Sequence, residues 1–202
     1  MTAIIDYGVG NLFSLSCSFS SIGEEIVVTK DIDVLRKADR LVLPGVGAFH
    51  DARLALKNSG LEEEVLNLVS KGKPILGICL GMQLLFQRDY EDGVYEGLVL
   101  IEGEVRAIGE TIEKGLKIPH IGWNSLVFKK DSRLFKYIKN GDYVYFVHSY
   151  HAVGCECDTT SVTDYGAPLT ASVEKGNVFG CQFHPEKSGE VGLSILKAFV
   201  EI

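Results

Sequence analysis

Along the first half of the chain, short apolar runs alternate with stretches whose apolar residues recur every three or four positions. "TAIID" predicts a strand, and Leu12, Leu15, Phe19 and Ile22 follow at near-helical spacing, with Asn11 placed as the N-cap. "EIVVT" and "RLVLPG" predict two more strands, Leu61, Val65, Leu68 and Val69 a further helical stripe, and "KPILGI" a strand buried on both faces. This alternation is the mark of βαβ units around a parallel sheet covered on both sides.

Beyond residue 95 strand candidates follow one another: "GLVLIEGEVRAI", "YVYFVHSYHA", "TTSVTDYG", and a hairpin "LTASVEKGNVFGCQFHPE" turning at Lys175-Gly176-Asn177. A final helix places Leu193, Leu196 and Val200 on one side. No repeat, linker or low-complexity stretch interrupts the pattern. The expectation is one α/β domain over residues 1–202, three-layered and doubly wound, with a mostly parallel central sheet and an antiparallel extension.

Composition narrows the function classes. With 202 residues, 46% hydrophobic and 23% charged, the chain can bury a substantial core. Its net charge of −7 comes from interspersed Asp and Glu, which argues against nucleic acid or an anionic membrane as partner. The opening "MTAIIDYGVG" lacks the basic and apolar regions of a leader, and no run is long enough to span a membrane, so the expected location is cytoplasmic. The five cysteines, at 17, 79, 155, 157 and 181, suit a reducing compartment. Cys155 and Cys157 have no second pair to complete a metal site, so neither metal nor cofactor is expected. Cys17 and Cys181 read as small buried hydrophobes.

Cys79 differs. In "ILGICLGMQLLF" it stands between Gly77 and Gly81, directly after a buried strand and before a helix. That is the thiol form of a nucleophile elbow, in which small neighbours relieve a strained turn and the side chain faces the carboxyl edge of the sheet. The helix start favours the thiolate, and the Leu80 amide can donate to an oxyanion. The alternative is a buried structural cysteine whose glycines allow close packing. A nucleophilic thiol needs a base, and His184 in "GCQFHPEKS" ends a strand-like run before Pro185, with Glu186 two residues on to orient the ring. In "LPGVGAFHDA", Gly45 and Gly47 around Val46 make a loop whose peptide can turn toward an oxyanion, although a tight turn also needs glycine. The spacing is not that of a phosphate-binding loop.

Together "GICLGMQLLF", "FHPEKS" and "LPGVGAF" resemble the class I glutamine amidotransferases, the triad glutaminases. "IDYGVGNL", "IPHIGWNSL" and "YVYFVHSY" resemble, within that family, glutaminase subunits that serve a separate cyclase in histidine biosynthesis. The resemblance implies the class I glutamine amidotransferase fold and makes Cys79 the nucleophile, His184 the general base and then acid, and Glu186 its partner. It implies that Gly47 and Gln83 contact glutamine with Ser149 and Tyr150 nearby, and that Val46 and Leu80 supply oxyanion amides. The implied chemistry releases ammonia and leaves a Cys79 thioester, which water hydrolyses to glutamate.

The glutaminase accounts for the whole length, so an acceptor subunit is expected. The resemblance implies a (βα)8-barrel cyclase in a heterodimer, fed through an ammonia tunnel; because an uncoupled glutaminase would waste glutamine, low activity alone and stimulation by the ligand-bound partner are expected. Asn11, His120, Trp123, Asn124, Tyr145 and Lys187 are the candidate contacts, and Trp123 is the only tryptophan. His50, His148 and His151 read as structural or peripheral. Three other readings keep part of this: a cyclase-like paralogue that amidates surface sugars, another cysteine hydrolase of related fold, and a non-catalytic regulatory subunit.

Overall fold

The computed structural model describes residues 1–202. The first half alternates β1 (Thr2–Ile5), α1 (Leu12–Ser21), β2 (Ile26–Thr29), α2 (Ile32–Lys37), β3 (Arg40–Leu43), α3 (Phe49–Asn58), α4 (Glu62–Ser70), β4 (Ile75–Ile78) and α5 (Leu80–Gln83). Strands then dominate: β5 (Arg88–Asp89), β6 (Tyr95–Glu96), β7 (Glu104–Ala107), β8 (His120–Ser125), β9 (Val127–Phe128) and β10 (Tyr143–His148). They continue as β11 (Tyr150–Val153), β12 (Thr159–Asp164), β13 (Pro168–Lys175) and β14 (Val178–Cys181), before the closing helix α6 (Gly189–Val200).

Eight strands form the central sheet in the order β2-β1-β3-β4-β14-β13-β12-β9. From β2 to β14 every pair is parallel, and from β14 to β9 every pair is antiparallel. The β13–β14 hairpin pairs Lys175 with Val178 and turns through Gly176 and Asn177, with Gly176 in the left-handed region (φ 58°). Side chains alternate across the sheet and so feed two cores. Ile5, Leu43 and Ile75 pack with α2, α3 and α4 on one face, while Ile4, Val42 and Leu76 pack with α1 and α6 on the other. The result is three layers, doubly wound.

Several local expectations are corrected. Cys17 is exposed rather than buried: it follows Leu15 by two residues, about 200° around the helix from the stripe made by Leu15 and Phe19. Asn11 occupies the N-cap position of α1 but makes no side-chain cap bond. On α6 the fully buried face is Ile195, Leu196 and Phe199, with Leu193 and Val200 half-buried beside it. Only Glu104–Ala107 of "GLVLIEGEVRAI" is strand, because the Leu98, Leu100 and Ile101 amides bond to the Leu84 and Leu85 carbonyls instead of a ladder. "YVYFVHSYHA" breaks at Ser149, sending β10 to pair with β8 and β11 to pair with β7.

Candidate active site

The site lies where two parallel neighbours end. Ile78 of β4 pairs with Cys181 of β14, so the residues that follow each strand emerge at one carboxyl edge. Cys79 is the next residue, and its N–H donates to the Cys181 carbonyl at 2.8 Å. There the chain reverses with φ 55° and ψ −114°, a conformation costly for any side-chain-bearing residue.

The flanking glycines are explained by close backbone contact. A Cβ on Gly81 would stand 1.9 Å from the Leu43 carbonyl oxygen, and one on Gly77 2.6 Å from that of Gly81. A Cβ on Gly45 would meet the Gly81 nitrogen at 2.7 Å. The start of α5 is therefore pressed onto the ends of β3 and β4 and onto the 44–47 loop. Leu80 opens α5, so its N–H is one of the first-turn donors that a helix leaves without an internal acceptor.

His184 follows β14 by three residues. Pro185–Lys187 form a single 3₁₀ turn that returns the Glu186 carboxylate to the ring, with Nδ1 to Oε1 at 2.8 Å. Both side chains are nearly inaccessible, at 5% and 1% exposure. Burial alone lowers the His184 pKa, but the Cys79 sulfur and the Glu186 carboxylate outweigh it and raise the value to about 9. With Nδ1 on the carboxylate, Nε2 is the nitrogen left for the sulfur. The turn is pinned to β10: the His184 N–H donates to the Tyr145 carbonyl, and the Ser188 hydroxyl donates to the His184 carbonyl while accepting the Tyr145 N–H.

Cys79 and His184 open into a pocket of about 420 Å³, the size of a small-molecule site. Val46, Gly47, Leu80, Gln83, Ser149 and Tyr150 all line it, so the residues assigned to substrate and oxyanion meet in one place. The 44–47 loop is anchored at both ends. The Tyr7 hydroxyl donates to the Pro44 carbonyl at 2.6 Å, and beyond the loop the Phe49 N–H donates to Glu91 Oε2 at 2.7 Å. Between these anchors Val46 is 44% exposed and Gly47 is left-handed, with φ 92°.

Sequence reasoning missed Glu91, Pro119 and Val147, which also line the pocket, and left His148 peripheral although it stands in the wall. Burial pushes the His148 pKa down to about 3, so the ring is neutral and its Nδ1–H donates to the Tyr150 carbonyl at 2.8 Å. Its Nε2 meets His120 Nδ1 at 3.0 Å. Gln182, also missed, is fully buried beside Cys79. No local motif marks it, because β14 ends at Cys181 and the place of Gln182 beside Cys79 comes from β14 lying next to β4. His50 packs on Tyr95, and His151 bonds Thr111 away from the pocket.

The candidate partner contacts separate into three groups. Trp123 and Tyr145 face each other across β8 and β10 with ring centroids 6.1 Å apart, and Lys187 Nζ lies 5.9 Å from the Tyr145 ring. Trp123 is 52% exposed, and Ile121 and Tyr143 on the same face are each 57% exposed. His120 and Asn124 occupy the other face. The His120 ring is buried, stacked on Phe146 and Tyr165 and bonded to Asn124 Oδ1, so it supports the ribbon from behind and is not itself a surface contact. Asn11 lies half-buried at the head of α1. Cys155 is buried against Thr159 and Thr170 while Cys157 is exposed, and no group of three or more His, Cys, Asp or Glu is arranged to hold a metal ion.

Residues 3–202 match the family "Glutamine amidotransferase class-I". The chain is 53% identical to imidazole glycerol phosphate synthase subunit HisH of Caldanaerobacter subterraneus subsp. tengcongensis, covering 100% of this chain and 98% of the relative. It is 49% identical to the protein of the same name from Aquifex aeolicus, covering 98% and 95%. Among solved structures, a glutamine amidotransferase superposes with TM-score 0.77 at 16% identity, covering 99% and 97%. PurLQS from Thermotoga maritima superposes with TM-score 0.74 at 18% identity, also covering 99% and 97%. At such identities the two structures speak for the fold.

Proposed function

The chain belongs to the class I glutamine amidotransferases, and from that premise we propose that Cys79, His184 and Glu186 are the triad through which it cleaves glutamine. It acts as the glutaminase subunit of an imidazole glycerol phosphate synthase, in histidine biosynthesis. A strained, backward-bent cysteine and a carboxylate-backed histidine meet in one pocket of small-molecule size, and this juxtaposition carries the reading.

The steps follow from the geometry. The Cys79 thiolate attacks the side-chain amide carbon, and the developing oxyanion takes hydrogen bonds from the Leu80 N–H and a peptide N–H of the Val46–Gly47 segment. The His184 imidazolium, held in orientation by Glu186, protonates the departing nitrogen, and ammonia leaves a thioester. Neutral His184 then takes a proton from water, which attacks the thioester and frees glutamate. Gln83, Ser149 and Tyr150 position the substrate, and the Glu91 carboxylate on the pocket wall suits its α-ammonium.

A partner subunit receives the ammonia. Free ammonia in neutral water is mostly protonated and so a poor nucleophile, which favours direct transfer to a (βα)8-barrel cyclase through an enclosed tunnel. The exposed face of Trp123, Tyr145 and Lys187, beside the pocket, is the proposed dock. We place the protein in the cytoplasm, as one domain over residues 1–202; no helix is long and apolar enough to cross a membrane. Glutamate release by the purified chain, abolished in Cys79→Ala, tests the assignment. Equal release by the variant would overturn it.

A further inference from the structure

One buried polar side chain at the nucleophile has no part in the triad. Gln182 is fully buried and follows Cys181, the strand partner of Ile78, which sets it beside Cys79 on the next rung. Its Nε2 stands 3.6 Å from Cys79 Sγ, the distance of an N–H···S hydrogen bond. An amide can be turned either way, so its orientation must be read from its neighbours. Here they fix it. The Tyr150 carbonyl can only accept, so Gln83 must present Nε2 to it, at 3.1 Å. The same nitrogen donates to Gln182 Oε1 at 2.9 Å. With its oxygen taken by that donor, Gln182 turns its NH₂ to the sulfur. A buried N–H aimed at sulfur favours the thiolate, because the anion is the stronger acceptor.

We propose that Gln182 is a further catalytic residue, whose side-chain N–H holds and stabilises the Cys79 thiolate, and that Gln83 locks it in that orientation. This rests on the reading of Cys79 as the nucleophile. His184 and Gln182, two residues apart just beyond the end of β14, then both serve the sulfur: one carries the transferable proton, the other a fixed donor. Gln83 acquires a second task, since its amide nitrogen is committed to this network while its oxygen can face the pocket. The other titratable groups that face the sulfur are Cys181 on the neighbouring strand and His184 with Glu186 behind it. Across the pocket stand His148, Glu91 and Lys187.

The test uses two substitutions in the full chain. Gln182→Met removes the donor without adding charge, with Gln182→Leu in its place should the first not fold. Gln182→Glu keeps the length and the acceptor for Gln83 but replaces the donor with oxygen. The readout is the pH dependence of Cys79 alkylation by iodoacetamide through the pocket, followed on the Cys79 peptide by mass spectrometry because Cys17 and Cys157 are exposed and alkylate as well. Both variants are expected to move the rise in alkylation rate to higher pH. They should also lower kcat for glutamine hydrolysis by roughly 10–100-fold with KM little changed, the size of one hydrogen bond to a charged group. Profiles superimposable on that of the unsubstituted protein would overturn the proposal, as would a shift confined to the Glu variant, which added charge explains. Alkylation needs only the thiolate, so an unsubstituted chain that fails to release glutamate would sink the glutaminase reading without touching this outcome.

Discussion

His184 concentrates the chemistry of a single residue. Its folded pKa of about 9 lies above the ordinary 6.5, so it binds a proton more tightly folded than unfolded. Its contribution to stability is therefore complete below pH 6.5 and is lost as pH rises through 9. Glu186→Gln should shrink that loss in urea unfolding at matched pH values. The alkaline limb of kcat/KM is expected near pH 9 and should move lower in Glu186→Gln, with activity falling on the order of 10²–10⁴-fold. An unmoved limb would detach the carboxylate from the base. Cys79, His184 and Glu186 were legible in the sequence because each carries a local signature: an elbow, a proline stop, and a carboxylate two residues on. Gln182 was not, because its place depends on β14 lying beside β4 in one register. His120 was misplaced for the same reason, since only its pairing with His148 turns it inward.

Between the elements, the site depends on backbone pressed against backbone. The Gly81 Cα faces the Leu43 carbonyl so closely that Gly81→Ala must push α5 off β3, and with it the Cys79 turn. A loss of about 1–3 kcal/mol is expected by denaturant unfolding, together with loss of glutaminase activity. A fully active, equally stable Gly81→Ala protein would contradict this packing. The strands of the first half were readable from short apolar runs set between helical stripes. The short helices α2 and α3 were not, and in α3 the buried positions Phe49, Ala52 and Leu56 are interspersed with charges and follow a glycine loop. The 98–103 segment misled because its apolar residues are buried as loop, satisfied by bonds to the end of α5.

At the scale of the molecule, the ribbon of β8 and β10 joins the outer face to the triad. Trp123 and Tyr145 stand outside, while the Tyr145 backbone bonds both His184 and Ser188. Trp123→Ala should weaken binding of the cyclase subunit by about 2 kcal/mol or more, roughly 30-fold, while leaving the pocket of the isolated chain unchanged. Calorimetric titration measures it, and unchanged affinity would move the dock elsewhere. Between Tyr7 and Glu91, the anchored 44–47 loop is the element whose peptide can gate the oxyanion site, so the isolated chain is expected to be slow and the ligand-bound complex fast. The most direct measurement is glutamate release by the purified chain, alone and with a cyclase subunit holding its own ligand, in parallel with Cys79→Ala. Slow release that rises on adding the loaded cyclase and vanishes in Cys79→Ala is the predicted result; no release in either state, or release that survives in Cys79→Ala, would contradict it.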